Sequence, residues 1–486
     1  MRRGFTIALL LFSLCCSFQP VGAYTLRYTD TSGAVRVRWP SNTITVTLSS
    51  SLLEPPANLK ATGSEAQTAV LNALRRWEKA ANITFVVAGS NKAGIAGGDN
   101  VNLITVAHGP ENAKLFTGIH ARDVARARTL HDDNGALTEA DIALNPSQLF
   151  STDGTPGTYD LEATFAHEIG HLLGLGESSV MGATMSPRQG WNGLYHSVSW
   201  AGRTLSADDV NGVAALYGPR NENEPTGVIF GNLTWPGGQP AAGVNVWAEE
   251  WRTGRVIAGG ITLSKGEYRL EGLPQRVTYR VCASLLSGPL SPADFGLPAL
   301  DISFGYAEEV RLVTLNSAQI YVPKQLREPS GKTPQPSLVG WNGELADVSL
   351  ALTAGQTYTL FLSGANLTAD KLDSISVGSP YFKVSQNTIK FLDDKAFTGL
   401  AGPVLSFSLT INADAPEGDY SLRLENSAGL SLLPGALTVE SASFARRPSA
   451  PKGSDTLAAK PHPDNLLNGT AILLSDTTEG SFKEKE

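Results

Sequence analysis

Two histidines and a glutamate lie close together in the segment HEIGHLLGLGE, which covers residues 167–177. On a helix of 3.6 residues per turn, His167 and His171 share one face and lie about 6 Å apart along the axis. Two imidazoles at that spacing can ligate a single Zn²⁺. Glu168 lies beside them and is a residue type that accepts a proton from an activated water. The spacing therefore predicts a zinc site with Glu168 as general base.

The third zinc ligand is the open question of this segment. Glu177 follows Gly174, a glycine that allows the chain to turn back toward the metal. A carboxylate oxygen is an accepted zinc ligand at roughly 2.0 to 2.2 Å, so a site of two histidines and one glutamate is chemically reasonable. Two alternatives stay open: Glu177 faces solvent and the site is weak or inactive, or His196 replaces it as a ligand.

Local patterns predict the elements that position these residues. The helix that carries His167 should begin near Asp160 and end at Gly174, where a glycine can adopt the left-handed conformation. Capping pairs indicate the starts of two more helices, Ser64 with Gln67 and Ser206 with Asp209. Alternating apolar residues predict strands over residues 43–48, 83–87, 101–107 and 140–145. Helix and strand are thus mixed in this part of the chain.

The wider motif resembles that of the metzincin metalloproteases and, within them, the matrixin group typified by the matrix metalloproteases. Their pattern is HExxHxxGxxH followed by a turn that contains a methionine. This chain matches it at His167, Glu168, His171, Gly174 and Met185. The segments ADIALN before the site and LSADDVNGVAALYG after it extend the resemblance over most of residues 24–220. The chain departs from the pattern at residue 177, which is glutamate instead of histidine.

This resemblance implies an α+β catalytic domain over residues 24–220, with a twisted mixed sheet and an active-site helix. It implies that Zn²⁺ is held by His167, His171 and Glu177 and that a polypeptide is the substrate. Glu168 would be the catalytic base of peptide hydrolysis. Met185 would form the apolar floor of the metal site, in the methionine turn.

Further metal sites are a separate expectation. Matrix metalloproteases carry a structural zinc and calcium ions upstream of the catalytic helix. The corresponding stretch contains six candidate residues, whose spacing does not reproduce the family's second zinc motif: His108, His120, His131, Asp132, Asp133 and Asn134. A turn rich in Asp and Asn either binds Ca²⁺ or is simply solvated, and both interpretations stay open.

The first 23 residues have the pattern of a secretory signal peptide, which is removed on export. Arg2 and Arg3 precede an apolar run over residues 5–18, and Val21-Gly22-Ala23 forms a small-residue cleavage site. The run of about 14 residues is short of the roughly 20 needed to span a membrane, so no transmembrane segment is expected after cleavage. We therefore expect a secreted, extracellular protein, or one associated with the cell envelope after export.

Composition narrows the partners of this protein. The chain has 486 residues and a formal net charge of −8, and loss of the leader removes two basic residues and no acidic one. An acidic chain of this kind argues against nucleic acid as a partner. Only Cys282 remains after processing, so no disulfide within the chain is expected. Its place in the alternating segment TYRVCAS suits a strand.

Beyond residue 225 the apolar pattern changes to a period of two residues. A β-sandwich similar to the carboxypeptidase-regulatory or prealbumin-like modules is expected over residues 226–325. A second, immunoglobulin-like β-sandwich is expected over residues 337–440, and the tail 441–486 is expected to be disordered. The two modules are interpreted as spacers, anchors or docking sites, with a surface or matrix ligand as their candidate partner.

The predicted fold class is therefore multidomain, with an α+β metzincin catalytic domain, two β-sandwich domains and a disordered tail. The leading functional hypothesis is a secreted zinc endopeptidase that hydrolyses extracellular proteins. The alternative is a catalytically weak or inactive metzincin scaffold that adheres to surfaces through its β modules. The two hypotheses differ in the role that they give to Glu177.

Overall fold

The computed structural model describes residues 26–29, 35–197, 201–221, 223–298, 304–368, 372–392, 397, 403–440 and 472–473. The predicted signal peptide and most of the predicted tail lie outside the described residues. Within the described part of the chain, no helix is long and apolar enough to cross a membrane. A mixed α/β region with few helices comes first, and a region of many strands follows it.

The α/β region, residues 26–221, contains four described helices and eight described strands. The helices are α1 (Gly63–Ala80), α2 (Pro110–Ala113), α3 (Leu161–Leu172) and α4 (Ala207–Tyr217). The strands are β1 (Thr43–Ser49), β2 (Leu59–Lys60), β3 (Thr84–Ser90), β4 (Leu103–Thr105), β5 (Ala125–His131), β6 (Leu137–Leu144), β7 (Phe150–Ser151) and β8 (Tyr159–Asp160).

Five of these strands form one mixed sheet in the order β3-β1-β4-β6-β5. The strands are parallel except β5, which runs antiparallel to β6 at the edge. Helices α1 and α3 pack against each other, and the fully buried Trp77 of α1 donates its indole N–H to the Ala166 carbonyl of α3 at 2.8 Å. A buried indole that keeps its hydrogen bond adds apolar contact without leaving a polar group unsatisfied. This contact holds α3 in register on the core.

Helix boundaries agree with the sequence where the cap is local. Asp160 caps α3 and accepts a hydrogen bond from the Ala163 N–H, and Ser206 and Asp209 form the expected capping box of α4. The start of α1 differs from the prediction. Its cap is Thr62, which forms a capping box with Glu65, so the helix begins at Gly63, ahead of the expected Ser64 pair. Thr62 and Glu65 have the same spacing as Ser64 and Gln67, and the pattern alone could not separate them.

The first β module, residues 226–325, consists of short strands: β9 (Thr226–Thr234), β10 (Asn245–Glu250), β11 (Val256–Ile261), β12 (Glu267–Pro274), β13 (Thr278–Ser284), β14 (Ala307–Thr314), β15 (Gln319–Tyr321) and β16 (Lys324–Gln325). The second β module, residues 337–440, contains most of the remaining strands: β17 (Gln335–Trp341), β18 (Glu344–Ala346), β19 (Leu350–Leu352), β20 (Thr357–Ala365), β21 (Ser374–Val377), β22 (Phe382–Leu392), β23 (Val404–Ile411), β24 (Gly418–Asn426) and β25 (Gly429–Val439). Strand β26 (Ile472–Leu473) falls within the predicted tail and pairs with β18.

One sheet crosses the boundary between the two modules. Strands β11, β10, β13 and β14 of the first module continue into β25, β24 and β21 of the second. The junction is the pairing of Ala307 with Leu430, where β25 adds to the edge of β14. An open edge offers unsatisfied backbone groups, and a neighbouring hairpin satisfies them by extending the sheet. The two modules are therefore joined by a common sheet as well as by the chain that links them.

The aromatic side chains of the first module lie in different environments. Trp247 is fully buried and donates its indole N–H to Glu249 at 2.9 Å. Trp251 is 47% exposed, and the Arg280 guanidinium lies 4.7 Å from its ring centroid. Cys282 is buried in β13, and burial raises the pKa of its thiol well above the usual range. A buried, protonated thiol behaves as a small apolar residue.

Candidate metal centre

Helix α3 carries both histidines, and contacts at its two ends fix its position. Its N-cap Asp160 is buried and is held by Arg203, whose guanidinium approaches the carboxylate at 2.6 Å. At the other end the chain leaves the helix at Gly174, which has φ of 94°. A Cβ at Gly174 would overlap the Val37 carbonyl, so the residue is required both by its left-handed conformation and by a close backbone approach. The segment after α3 is thereby turned back toward the histidines.

The two imidazoles are oriented by backbone carbonyls. His167 Nδ1 lies 2.8 Å from the Thr184 carbonyl oxygen, and His171 Nδ1 lies 3.0 Å from the Leu175 carbonyl oxygen. A carbonyl can only accept, so each Nδ1 carries the proton and each Nε2 has a free lone pair. The two Nε2 atoms are 3.0 Å apart. Two lone pairs at that distance repel each other unless a cation lies between them, which is the arrangement that a metal ion stabilises.

Glu177 brings a carboxylate to the same point. Its Oε1 lies 3.4 Å from His171 Nε2, and its Oε2 lies 3.9 Å from His167 Nε2. One ligand atom from each of the three residues lies within 4.8 Å of the others, and no other such group of His, Cys, Asp and Glu occurs among the described residues. We call His167, His171 and Glu177 the metal triad. The Glu177 Oε2 atom is buried and accepts no hydrogen bond in the described part of the chain.

The charges within the metal triad support one another. Burial alone would raise the pKa of Glu177, but attraction to His171 and His167 in their protonated forms outweighs it when no metal is bound, and the pKa lies below the usual value. Burial alone would lower the pKa of His171, but the carboxylate of Glu177 raises it above the usual value. Glu177 is thus held as an anion. One anion with two neutral imidazoles is a donor set that fits Zn²⁺.

Glu168 lies on α3 between the two histidines in sequence and is buried. Its carboxyl accepts a hydrogen bond from the Ala127 N–H of the edge strand β5. Burial raises the pKa of this carboxyl, while His167 and His171 act in the opposite direction. Its Oε2 has no hydrogen-bond partner among the described residues. A buried carboxylate with an unused oxygen is suited to hold a proton transiently.

Met185 lies beneath α3 and is fully buried. A Cβ at Gly170, one turn along from His167, would overlap the Met185 sulfur, so helix and methionine pack in direct contact. The turn around Met185 is held by Asp209 of α4, which accepts hydrogen bonds from the Thr184 N–H at 2.8 Å and the Met185 N–H at 3.1 Å. Thr184 in turn orients His167. Asp209 therefore connects the cap of α4 to the metal triad, a role that its capping pattern did not indicate.

The remaining candidates lie elsewhere. The side chain of His196 is 67% exposed, with its Nε2 3.6 Å from a carboxylate oxygen of Glu344. It is outside the metal triad, so it does not replace Glu177 in this arrangement. His120 pairs with Asp123 at 2.8 Å. Asp132 accepts hydrogen bonds from the N–H groups of Asn134 and Ala136 within its own turn. These contacts give no support to a second zinc or a calcium site in the described residues.

Comparison with known proteins gives a consistent result for the α/β region. Residues 38–218 match the matrixin family model. Human matrix metalloproteinase-20 is 31% identical over 200 residues, which cover 41% of this chain and 35% of that protein. Metalloendoproteinase 1-MMP of Arabidopsis thaliana is 30% identical over 176 residues, which cover 32% of this chain and 39% of that protein. The chain thus spans little more than a third of the length of these relatives.

Among solved structures, the major pilin subunit BcpA of Bacillus cereus aligns with 44% of this chain and 69% of its own. The sequence identity is 10% and the TM-score 0.14, a similarity too low to support any inference about this protein. The match to the matrixin model, the relatives at about 30% identity and the HExxHxxG motif on α3 agree with one another. Over residues 38–218 this chain is therefore similar to the matrixin family.

Proposed function

We propose that this protein is an exported zinc-dependent endopeptidase. The observation that carries the proposal is the metal triad, whose three ligand atoms lie within 4.8 Å of one another. Both imidazoles are already fixed in the tautomer that binds metal through Nε2. Matrixins are metalloendopeptidases that normally bind zinc, so the match of residues 38–218 to the matrixin model supports the same chemistry. That the whole chain acts on polypeptide substrates is part of the same proposal.

Each residue has a defined part in peptide hydrolysis. Bound Zn²⁺ would supply a Lewis acid that polarises the peptide carbonyl and acidifies a water molecule. His167, His171 and Glu177 would hold it. The carboxylate of Glu168 would accept the proton of the attacking water and deliver it to the nitrogen of the departing amine. Met185 and the packed core beneath α3 keep the histidines rigid.

The carboxylate at residue 177 should change the strength of the site. An anionic ligand donates more charge than an imidazole, so the metal becomes a weaker Lewis acid and the pKa of a bound water rises. We therefore expect activity to increase with pH over a higher range than in a site with three histidines. The variant Glu177→His provides the direct comparison within the same protein.

The general base is tested in the protein that begins at Tyr24. We expect about one zinc per chain by elemental analysis and chelator-sensitive cleavage of casein. Glu168→Gln should retain zinc and lose roughly 10²- to 10⁴-fold in rate, the usual contribution of a positioned acid–base residue. Glu54→Gln makes the same chemical change at an exposed site and should leave the rate unchanged. Cleavage by Glu168→Gln at the wild-type rate would exclude this mechanism.

The third ligand is tested by zinc affinity. Glu177→Ala should weaken zinc binding by at least about 10²-fold, because even residues that only orient ligands contribute about 10- to 100-fold. Glu177→His should keep the metal. Unchanged zinc affinity in Glu177→Ala would mean that this carboxylate is not a ligand. An inactive wild type together with an active Glu177→His variant would favour the inactive scaffold that adheres through its β modules.

Export is tested by the N-terminus of the protein produced by its own cell. Protein recovered from outside the cytoplasm should begin at Tyr24, because Val21-Gly22-Ala23 supplies the small residues that signal peptidase requires. Retention of Arg2 and Arg3 in the recovered protein would contradict cleavage at this site.

A further inference from the structure

A cleft of about 970 Å³, counted with its open mouth, begins at the metal ligand His167. One wall is the methionine loop, which we define as residues 178–197. The opposite wall belongs to the second β module and includes Trp341, Val348 and Ala351. The cleft next to the metal triad is thus shared by two parts of the chain that are more than 140 residues apart in sequence.

The shared cleft is lined mainly by apolar groups near the module. Val348 is buried, and a Cβ at Gly190 in the methionine loop would lie 3.6 Å from its Cγ2. The half-buried ring of Trp341 packs edge-on against Tyr358, with ring centroids 5.2 Å apart. Because the neighbouring ring restricts its movement, the Trp341 ring does not move aside for a larger ligand. The module therefore limits the size of the cleft.

The methionine loop is attached to the second module by hydrogen bonds that fix its shape. Tyr195 is buried and has a left-handed φ of 59°, which a residue with a bulky side chain rarely adopts without support. Its hydroxyl lies 3.3 Å from each of the Val339 and Val348 carbonyl oxygens and can donate its one hydrogen to either. Glu344 accepts a hydrogen bond from the Tyr195 N–H, and Asn342 donates to the Tyr195 carbonyl at 2.9 Å.

A second attachment joins the same loop to both modules. The Arg188 guanidinium lies 2.8 Å from Asp294 of the first module and 3.1 Å from Asp347 of the second. All three side chains are largely buried, with 11 to 16% of each exposed. Ion pairs removed from solvent require good geometry to be stable, so this arrangement holds all three segments in one position. The module wall is therefore attached to the methionine loop by buried ion pairs as well as by hydrogen bonds.

We propose that the second β module forms part of the substrate-binding site, and that Trp341 and Val348 are specificity-determining residues for an apolar side chain next to the scissile bond. This inference rests on the proposed endopeptidase function. The cleft starts at a metal ligand, so a peptide positioned for hydrolysis places a flanking side chain in it. The apolar lining favours an aliphatic side chain, and the two walls exclude larger rings.

Cleavage profiling with the protein that begins at Tyr24 tests the size limit. A peptide library with varied residues on both sides of the bond should show a preference for aliphatic side chains at one position. Val348→Ala should shift the ratio of kcat/KM for phenylalanine over leucine at that position by about ten-fold, the scale of one or two methylene groups in an apolar pocket. Trp341→Ala should shift it further. Val377→Ala removes the same atoms from a buried site outside the cleft and should leave the ratio unchanged.

Photo-crosslinking separates this inference from the proposed function. A casein-derived peptide with photo-leucine should label Trp341 or Val348 in the Glu168→Gln variant, and unlabelled peptide should compete. If the wild type cleaves nothing but the module is labelled in this saturable way, the shared cleft stands and the endopeptidase assignment falls. Labelling confined to residues 38–218, absence of saturable labelling, or a normal cleavage profile in both variants would overturn the shared cleft.

Discussion

Helix α3 and the methionine loop both contribute to the candidate active site, but different parts of the chain determine their conformations. Helix α3 has its own cap at Asp160 and its own stop at Gly174, and both signals lie within a few residues of its ends. The methionine loop has few such signals. Its shape depends on Asp209, Asp294 and Glu344, which come from three other parts of the chain. The comparison indicates that the helix carrying the two candidate ligand histidines is set by local signals, whereas the adjoining cleft is assembled by distant parts of the chain.

Removal of both β modules should have the largest effect. A chain of residues 24–220 would expose Val180, Met181 and Tyr195, which are buried against the modules. It would also leave Arg188 without Asp294 and Asp347. Burial of each large apolar side chain contributes about 1.5 to 3 kcal/mol, so the combined loss is comparable with the whole free energy of unfolding of a typical domain.

We therefore expect that the methionine loop of this shortened chain does not fold cooperatively with the rest of it. The shortened chain should also cleave casein poorly. Circular dichroism, hydrogen exchange and casein cleavage measure these properties against the longer chain. Equal melting temperature and equal cleavage would show that the α/β region is self-sufficient and would remove the contrast between helix and loop.

Asp209→Ala should have the next largest effect. This fully buried carboxylate accepts hydrogen bonds from the N–H groups of Ser206, Thr184 and Met185. Each buried donor left without a partner costs about 1 to 3 kcal/mol, so we expect a loss of roughly 4 kcal/mol in the free energy of unfolding. Zinc affinity should fall as well, since Thr184 orients His167. Asp208→Ala, in the same turn of α4, is the control that should destabilise the module contact while it leaves the Thr184 hydrogen bond in place.

Asp419→Asn should reveal a pH-dependent contact between the methionine loop and the second module. Asp419 lies against Gly182, and burial, together with the charges of Asp209 and Asp208, raises its pKa to about 7. A raised carboxyl pKa means that the folded protein binds a proton more tightly than the unfolded chain does. Stability is then highest below the unfolded pKa of about 4 and falls as pH rises toward 7.

Asparagine cannot ionise, and its amide oxygen can still accept the hydrogen bond that Thr438 donates to Asp419 at 2.7 Å. The variant should therefore be more stable than the wild type by up to about 4 kcal/mol above pH 7, with the difference disappearing near pH 4. Urea unfolding at pH 4, 6 and 8 measures this. A difference that does not change with pH would mean that Asp419 is ionised in the folded protein throughout.

Much of the architecture was predictable because its signals are local. The ends of α3, the capping box of α4 and strands such as β13 and β23 follow from caps, glycines and apolar alternation over a few residues. The start of α1 was not predictable, because Thr62 and Ser64 offer equivalent caps. The folded protein uses Thr62. The buried face of α4 includes two acidic residues, Asp208 and Asp209, which no apolar pattern predicts. Their partners lie far away in sequence.

The candidate site divides in the same way. His167, Glu168, His171 and Glu177 could be identified from their types and spacing, and their assignment as catalytic and ligand residues stays a prediction. Tyr195, Arg188, Trp341 and Val348 could not be identified as part of one cleft. Their only sequence signal is an aromatic, aliphatic or charged residue in a loop or strand, and such residues are common in any fold.

The sequence by itself determined that the two candidate ligand histidines lie together, because residues four apart on a helix meet in space wherever that helix lies. It also determined the turn at Gly174, because backbone conformation at a glycine is a local property. Only the tertiary structure decided that Glu177 reaches the histidines and that the second module closes the cleft beside them. The contacts of the second module join segments that no short-range pattern relates, and they form because burial of the methionine loop against the modules satisfies its polar groups and removes its apolar side chains from water.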